Sequence, residues 1–137
     1  MRRVLADTGP LVAILSPRDR NHELCVSVWK ELSSPLLTCW PVVTEAAWLL
    51  RDAPRAFKQL LDSIQEGILE MPLFSGAEAG KVSKILEQYA SLRPQFADAT
   101  LVYLAHRDNI ETIFTLDQRD FLVYRTARKK PFRLLPG

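Results

Sequence analysis

The feature that most constrains the fold is an alternation of short apolar runs with longer segments of helical pattern. In those longer segments apolar residues recur every three or four positions, as Val82, Ile85, Leu86 and Tyr89 do. Strands that alternate with helices predict a parallel sheet covered on both faces, in an α/β protein with more helix than strand. The five runs typical of short buried strands are RVLAD, PLLTCW, ILEMPL, ETIFTL and FRLLP.

The helices are predicted from their start and stop signals. Thr8 is expected to be the N-cap of a helix over TGPLVAIL, and Pro41 is expected to open the helix PVVTEAAWLLRD. Gly67 is expected to end the helix that begins at Pro54. The remaining helical segments are NHELCVSVWKELS, GAEAGKVSKILEQYA and FADATLVYLAHRD. The last is apolar almost all round, which predicts a buried helix.

Length and composition predict one ordinary globular domain. The 137 residues contain no repeat, low-complexity tract or Gly/Ser linker, so the domain is expected to span residues 1–137. No apolar run approaches the roughly 20 residues that cross a bilayer. Asp7 divides the apolar N-terminal stretch, which also lacks a signal-peptide cleavage site. Cys25 and Cys39 are expected to be reduced core residues, so a cytoplasmic protein is expected.

Charge is unevenly distributed along the chain. The net charge is +2, but residues 121–137 hold five basic residues and no acid, leaving 13 bases against 16 acids in residues 1–120. A basic tail of this kind could hold a polyanion, although charge alone favours a solvated C-terminal stretch. The five residues are Arg125, Arg128, Lys129, Lys130 and Arg133.

Four of the sixteen acids lie in unusual positions, next to apolar runs. Asp7 ends the first predicted strand and Asp117 follows TIFTL, so both belong at the carboxyl edge of the sheet. Ligands of parallel sheets bind at that edge, near the point where the strand order reverses. Glu45 in VVTEAAWLL and Asp98 in FADATLVYLA are expected near the N-terminal ends of helices that face the same edge. Together they predict one cluster of four carboxylates.

A carboxylate cluster favours metal-assisted phosphate chemistry. Neighbouring carboxylates oppose each other's ionisation, and a hard divalent cation removes that conflict. Mg²⁺ and Mn²⁺ take oxygen ligands and are commonly held by carboxylates together with substrate phosphates. His22 and His106 are too far apart in sequence for a zinc site of the usual kind. Carboxylates without His or Cys therefore favour phosphate chemistry over zinc hydrolysis.

Each acid also has a purely structural interpretation. Asp7 and Asp98 could stabilise helix N-termini, and Glu45 could be a capping residue. Asp117 and Asp120 could be turn acids, and for Asp120 that interpretation is preferred. Taken together, four acids beside apolar runs in one α/β chain favour the metal site.

Two kinds of neighbour could assist the acids. Thr8 and Thr115 each lie close to one acid in sequence, and their hydroxyl groups could orient a carboxylate or a water molecule. Trp40 and Trp48 flank Glu45. For these tryptophans we expect packing in the core, whereas stacking on nucleic-acid bases would be the more specific role.

Four segments of the chain form a recognisable set, and together they span nearly its whole length: LADTGPLVAIL, PVVTEAAWLL, FADATLVYLA and IFTLDQRDF. In their order and spacing they resemble the PIN-domain family, and most closely the VapC-type ribonuclease toxins of toxin–antitoxin pairs. The resemblance implies a three-layer α/β/α fold with a short central parallel sheet. It also implies an endoribonuclease that depends on Mg²⁺ or Mn²⁺.

The resemblance also maps catalytic and metal-binding roles onto this sequence. The family's acidic site falls on Asp7, Glu45, Asp98 and Asp117. Thr115 falls on the hydroxyl position before the last acid. A frequent but less essential acid of the family falls on Asp120. The family usually forms homodimers, and a cognate antitoxin protein obstructs the site and mediates any contact with DNA.

One residue departs from the family pattern. Gln95 stands where close relatives often carry an Asp, and an amide accepts hydrogen bonds but brings no charge. The missing charge puts in question whether a second metal ion binds, or how tightly a single metal ion binds. It motivates an alternative in which a catalytically weak module acts through antitoxin and operator-DNA complexes. A third hypothesis is a phosphatase-like enzyme with Asp7 as covalent nucleophile, although DTGP lacks the DxD spacing of such enzymes.

Overall fold

The computed structural model describes residues 2–33 and 35–137, and in that part of the chain five parallel strands form one sheet. The strand order is β3-β2-β1-β4-β5, and every neighbouring pair is parallel. The sheet confirms all five strands predicted from the apolar runs. The strands are β1 (Val4–Ala6), β2 (Leu36–Leu37), β3 (Leu69–Glu70), β4 (Thr112–Phe114) and β5 (Arg133–Leu135).

Seven α-helices connect the strands within the described residues, and the six longer ones were predicted. The short helix α7 was not, because a single turn shows no helical periodicity. Two one-turn 3₁₀ helices, Gly76–Glu78 and Ala90–Leu92, flank α5. The α-helices are α1 (Thr8–Leu15), α2 (His22–Glu31), α3 (Trp40–Leu49), α4 (Pro54–Gln65), α5 (Ala79–Gln88), α6 (Phe96–Asp108) and α7 (Gln118–Phe121). None of these helices is long and apolar enough to cross a membrane.

Two local predictions are wrong. Asp7, not Thr8, is the N-cap of α1, because the Asp7 carboxylate accepts the Thr8 backbone N–H at 2.8 Å and Thr8 is already helical. Glu45 is the sixth residue of α3 rather than one of its first, because the helix begins at Trp40. The end of α4 is as predicted, with Gly67 in the left-handed conformation (φ 79°) two residues beyond Gln65.

The helices form two layers that enclose the sheet. Right-handed crossovers place α1 to α4 on one face, because β1, β2 and β3 follow one another in one direction across the sheet. Contacts of α1 with α2, α3 and α4 agree with that arrangement, and α5 packs with α6 on the other face. Nine consecutive residues of α6, Ala97–Ala105, are buried, as its apolar sequence predicted. The three-layer α/β/α fold is therefore confirmed.

The sheet places the ends of β1 and β4 side by side at its centre. The chain passes from β1 to β2 and β3 on one side, then returns to β4 and β5 on the other. The carboxyl ends of β1 and β4 therefore flank the point where the strand order reverses, the usual ligand position in such sheets. The Asp7 N–H donates to Phe114 O at 2.8 Å, so the pairing extends just past the strand.

The core contains both cysteines. Cys25 and Cys39 are buried and free, as the sequence predicted. Burial raises the pKa of the Cys39 thiol to about 12, and the neighbouring carboxylates of Asp7, Glu45 and Asp98 add to the effect. A thiol with this pKa is protonated and unreactive at neutral pH.

Candidate active site

The structure brings all four predicted acids to one cleft at the carboxyl edge of the sheet. A fifth acid, Asp120, joins them. We call this feature the acid cleft. Its lining residues are Asp7, Thr8, Gly9, Glu45, Arg93, Gln95, Asp98, Asp117 and Asp120. The meeting of acids from four separate segments at one edge is what the parallel sheet predicted.

Asp7 is the most tightly held of the acids. It is 7% exposed, and one carboxylate oxygen accepts the Thr8 backbone N–H while the other accepts the Thr115 hydroxyl at 2.9 Å. Burial raises the pKa of Asp7, these two hydrogen bonds oppose the rise, and the charges of Glu45 and Asp117 add to it. The side chain is therefore fixed in one orientation at the base of the cleft.

Two threonines connect the acids to one another. The Thr8 hydroxyl donates to Glu45 Oε2 at 2.9 Å, and this bond directs the Glu45 carboxylate toward the sheet edge from the middle of α3. The Thr115 hydroxyl donates to Asp7 and accepts the Asp117 backbone N–H at 3.0 Å. The structure therefore gives both threonines the orienting contacts proposed from sequence.

Three aspartates form the tightest group of oxygens in the cleft. Carboxylate oxygens of Asp98, Asp117 and Asp120 lie within 4.8 Å of one another, a spacing at which one cation could contact all three. The prediction that Asp120 is an ordinary turn acid is wrong, because Asp120 is helical and lines the acid cleft. Asp120 lies in α7, and this single helical turn after Asp117 directs the second carboxylate into the same cleft.

Burial and the neighbouring acids both oppose the ionisation of Asp98. Burial is the largest cause that raises the pKa of Asp98 to about 7, and the charges of Asp7, Asp117, Glu45 and Asp120 contribute in that order. Asp98 is 9% exposed, in the first turn of α6. A carboxyl group with this pKa needs a compensating positive charge to stay ionised at neutral pH.

We therefore expect the metal-free protein to lose stability as the pH rises. The folded state keeps the Asp98 proton up to about pH 7, whereas the unfolded chain releases it near 3.8. The unfolded state thus binds fewer protons in that window, and the free energy of unfolding falls by about 1–4 kcal/mol across it. Urea denaturation in EDTA at pH 5 and pH 8 measures the difference. An Asp98→Asn variant should lose most of it, and an unchanged difference in that variant would contradict the assignment.

Arg93 was not identified from the sequence. It lines the acid cleft, where its positive charge is opposite to that of the neighbouring acids. Its side chain forms no hydrogen bond or ion pair in the described part of the chain, and its backbone has the left-handed φ of 50°. The available signal was the position of RPQ directly before the acid-bearing α6.

Gln95 is the N-cap of that helix and also lines the cleft, so this position contributes an amide where an Asp would add a sixth acid.

The two tryptophans beside Glu45 and the two histidines do not line the acid cleft. Trp40 and Trp48 are 56% and 66% exposed, so the expectation that they pack in the core is wrong. His22 and His106 contact backbone carbonyl oxygens of Ala13 and Arg125, outside the cleft.

The basic tail does not form one surface beside the cleft. Arg133 pairs with Thr112 at the start of β4, and the start of a parallel strand lies at the edge opposite the acids. The Arg125 guanidinium donates to the backbone oxygens of Leu122 and Tyr124.

Comparisons with known proteins agree with this architecture. The model of the PIN domain matches residues 4–129. Ribonuclease VapC26 of Mycobacterium tuberculosis is 30% identical over 136 residues, which cover 97% of this chain and 100% of that protein. The crystal structure of VapC20 from the same organism, titled a toxin that cleaves the sarcin-ricin loop, superposes with a TM-score of 0.73 over 80% of this chain and 86% of that one. At 16% identity, the superposition supports the fold alone.

Proposed function

Because the chain belongs to the PIN-domain family, we propose that it is an endoribonuclease that hydrolyses RNA phosphodiesters with Mg²⁺ or Mn²⁺. The observation that carries the proposal is the acid cleft, with five carboxylates at the point where the strand order reverses. A relative of matching length named as a ribonuclease supports RNA as the substrate.

The donor set of the cleft fits a hard divalent cation. Its ionisable ligands are carboxylates alone, and the thiol nearest to them, Cys39, is held protonated by burial. Oxygen-only sites of this kind suit Mg²⁺ or Mn²⁺ rather than zinc. Asp98, Asp117 and Asp120 would hold the cation, and Asp7 and Glu45 would complete the site directly or through water. The raised pKa of Asp98 supports this fit, since a cation would supply the charge that the cleft lacks.

The protein side chains supply orientation and electrostatics rather than a nucleophile. The hydroxyl groups of Thr8 and Thr115 are committed to carboxylates. The segment DTGP lacks the DxD spacing of phosphatase-like enzymes, which disfavours Asp7 as a covalent nucleophile. Attack by water is therefore the simplest scheme, with Glu45 placed to orient it.

A divalent cation bound in the cleft polarises a phosphate oxygen and lowers the pKa of water. Arg93 is placed to contact the phosphate backbone, because it lines the acid cleft and its guanidinium has no partner among residues 2–33 and 35–137. A contact to phosphate gives affinity without sequence information.

The biological setting that we propose is the toxin of a toxin–antitoxin pair. The VapC name of the 30% identical relative supports this setting. A cognate antitoxin would cover the acid cleft and offer it a basic side chain, which the excess of carboxylates favours. We further propose one domain over residues 1–137, a homodimer in the cytoplasm, and contact with DNA only through the antitoxin.

A cleavage assay on total RNA with antitoxin-free protein tests the proposed function. We expect fragments with Mg²⁺ or Mn²⁺ and none with EDTA. We also expect metal binding to raise the free energy of unfolding by about 2.7 kcal/mol at a concentration 100-fold above the Kd, measurable as a rise in Tm. No cutting with either metal, together with tight binding of the antitoxin, would favour the catalytically weak module and make Gln95 the residue to examine.

A further inference from the structure

A second groove adjoins the acid cleft and is lined by aromatic rings. We call it the aromatic groove. Its lining residues are Trp40, Pro41, Thr44, Glu45, Phe74, Phe96 and Ala97, so Glu45 belongs to both features. Trp40 and Phe96 are the first residues of α3 and α6, two helices that pack against each other. Both rings are therefore at the edge of the sheet that carries the acids.

The rings of the aromatic groove are unusually exposed. Trp40 is 56% and Phe96 is 52% exposed, although burial of a large aromatic side chain is among the most favourable contributions to folding. Single exposed apolar residues are ordinary, but several in one groove indicate a binding surface.

The third ring of the aromatic groove, Phe74, is held in place by ring packing and by hydrogen bonds around Glu78. Phe74 packs against Tyr103 with ring centroids 6.0 Å apart. The Glu78 carboxylate accepts the Ser75 backbone N–H and the Tyr103 hydroxyl, both at 2.7 Å, and Arg107 donates to Glu78 and to Leu73 O. These donors, the Ser75 N–H first, lower the pKa of Glu78 to about 2, so the carboxylate stays ionised. The groove is therefore formed before any ligand arrives.

We propose that the aromatic groove is a base-stacking subsite, in which Trp40 and Phe96 stack on a base of single-stranded RNA next to the phosphate in the acid cleft. The proposal rests on the proposed function and specifies where the substrate lies. Glu45 is five residues from Trp40 on α3, roughly 7.5 Å along the helix axis. A strand with its phosphate at the acids therefore has an adjoining base within reach of the rings. Stacking tolerates any base, since every base has a π-face.

RNA fits the groove better than a protein partner because of this continuity with the acids. Within the described residues, the rings and the acids share Glu45, and the lining of the aromatic groove contains no basic side chain that would serve an acidic peptide. A ligand with flat bases for the rings, and with phosphates for a divalent cation held by the acids, would match both halves of the combined surface.

The test measures binding of a fluorescein-labelled, single-stranded 12-nucleotide RNA of mixed sequence by anisotropy, with Ca²⁺ in place of Mg²⁺, because Ca²⁺ takes the same oxygen ligands but imposes a less strict geometry on them. We expect Trp40→Ala and Phe96→Ala each to weaken binding roughly 10-fold. Trp40→Phe should retain most of the affinity because it keeps a ring. Trp48→Ala is the matched control, since Trp48 lies on the same helix, is 66% exposed and is outside the groove. Circular dichroism verifies folding of each variant.

The outcomes separate this inference from the proposed function. Because the readout is binding rather than cutting, the assay reports stacking whether or not the chain cleaves RNA. Wild-type affinity in both alanine variants would overturn the subsite and leave the nuclease proposal standing. Unchanged RNA affinity together with lost dimerisation or lost antitoxin binding would also overturn it and identify the groove as a protein interface. Weakened binding in the alanine variants, with Trp48→Ala unchanged, would support it even if no RNA were cut.

Discussion

Replacement of Asp98 by Asn is expected to reduce metal-dependent RNA cleavage by at least about 100-fold while the chain stays folded. The amide has the size of the carboxyl group but brings no charge to the group formed with Asp117 and Asp120. Cation affinity should fall with it, so the rise in Tm on adding Mn²⁺ should shrink in parallel. Cleavage rates and thermal scans on the same preparations measure both effects.

The same variant should be more stable than the wild type when metal is absent. At pH 8 in EDTA the substitution removes a buried charge that four neighbouring acids repel. Asp62→Asn is the matched control, because Asp62 forms an exposed ion pair with Lys58 on α4. Wild-type cleavage by Asp98→Asn would show that this carboxylate does not hold the metal.

Replacement of Thr115 by Val is expected to impair both activity and stability. Thr115 is fully buried, donates to Asp7 at 2.9 Å and accepts the Asp117 N–H at 3.0 Å. Valine has nearly the same shape and makes neither bond, so the Asp117 N–H loses its partner. We expect a loss of about 1–3 kcal/mol in the free energy of unfolding and of roughly 10- to 100-fold in cleavage rate.

Thr100→Val is the control that separates the two losses. Thr100 is equally buried, but its hydroxyl donates only to Phe96 O within its own helix, a carbonyl on an exposed residue. Its replacement should cost less stability and little activity. Equal losses of activity in the two valine variants would indicate a general packing effect rather than orientation of Asp7 and Asp117.

Three of the predicted acids could be placed in the site from the local sequence pattern around them. Asp7 and Asp117 were placed correctly because they lie one and three residues beyond the ends of buried strands, and a parallel sheet gathers such positions at one edge. Asp98 followed from its place in the apolar run FADATLVYLA, which forms the helix with the most buried residues. Glu45 reached the cleft although its helix position was predicted wrongly, because the bond from Thr8 directs its carboxylate there.

The residues that were placed wrongly or missed depend on tertiary packing rather than on local sequence pattern. Trp40 and Trp48 were expected in the core because sequence gives their hydrophobicity but not the side of α3 that the sheet covers. Asp120 depends on α7, a helix too short to show a period. Arg93 was missed because its place at the cleft depends on how the chain enters α6.

The sequence by itself determined the strand and helix segments and the edge at which the acids meet, because periodicity and capping are interactions between residues a few positions apart. Only the tertiary structure decided which hydroxyl group donates to which acid and which aromatic rings stay exposed. It also decided where the acid cleft and the aromatic groove meet. The bonds that orient the site span 37 residues from Thr8 to Glu45 and 108 residues from Asp7 to Thr115. No local pattern records contacts at such separations, because they exist only once packing has brought the strands and helices together.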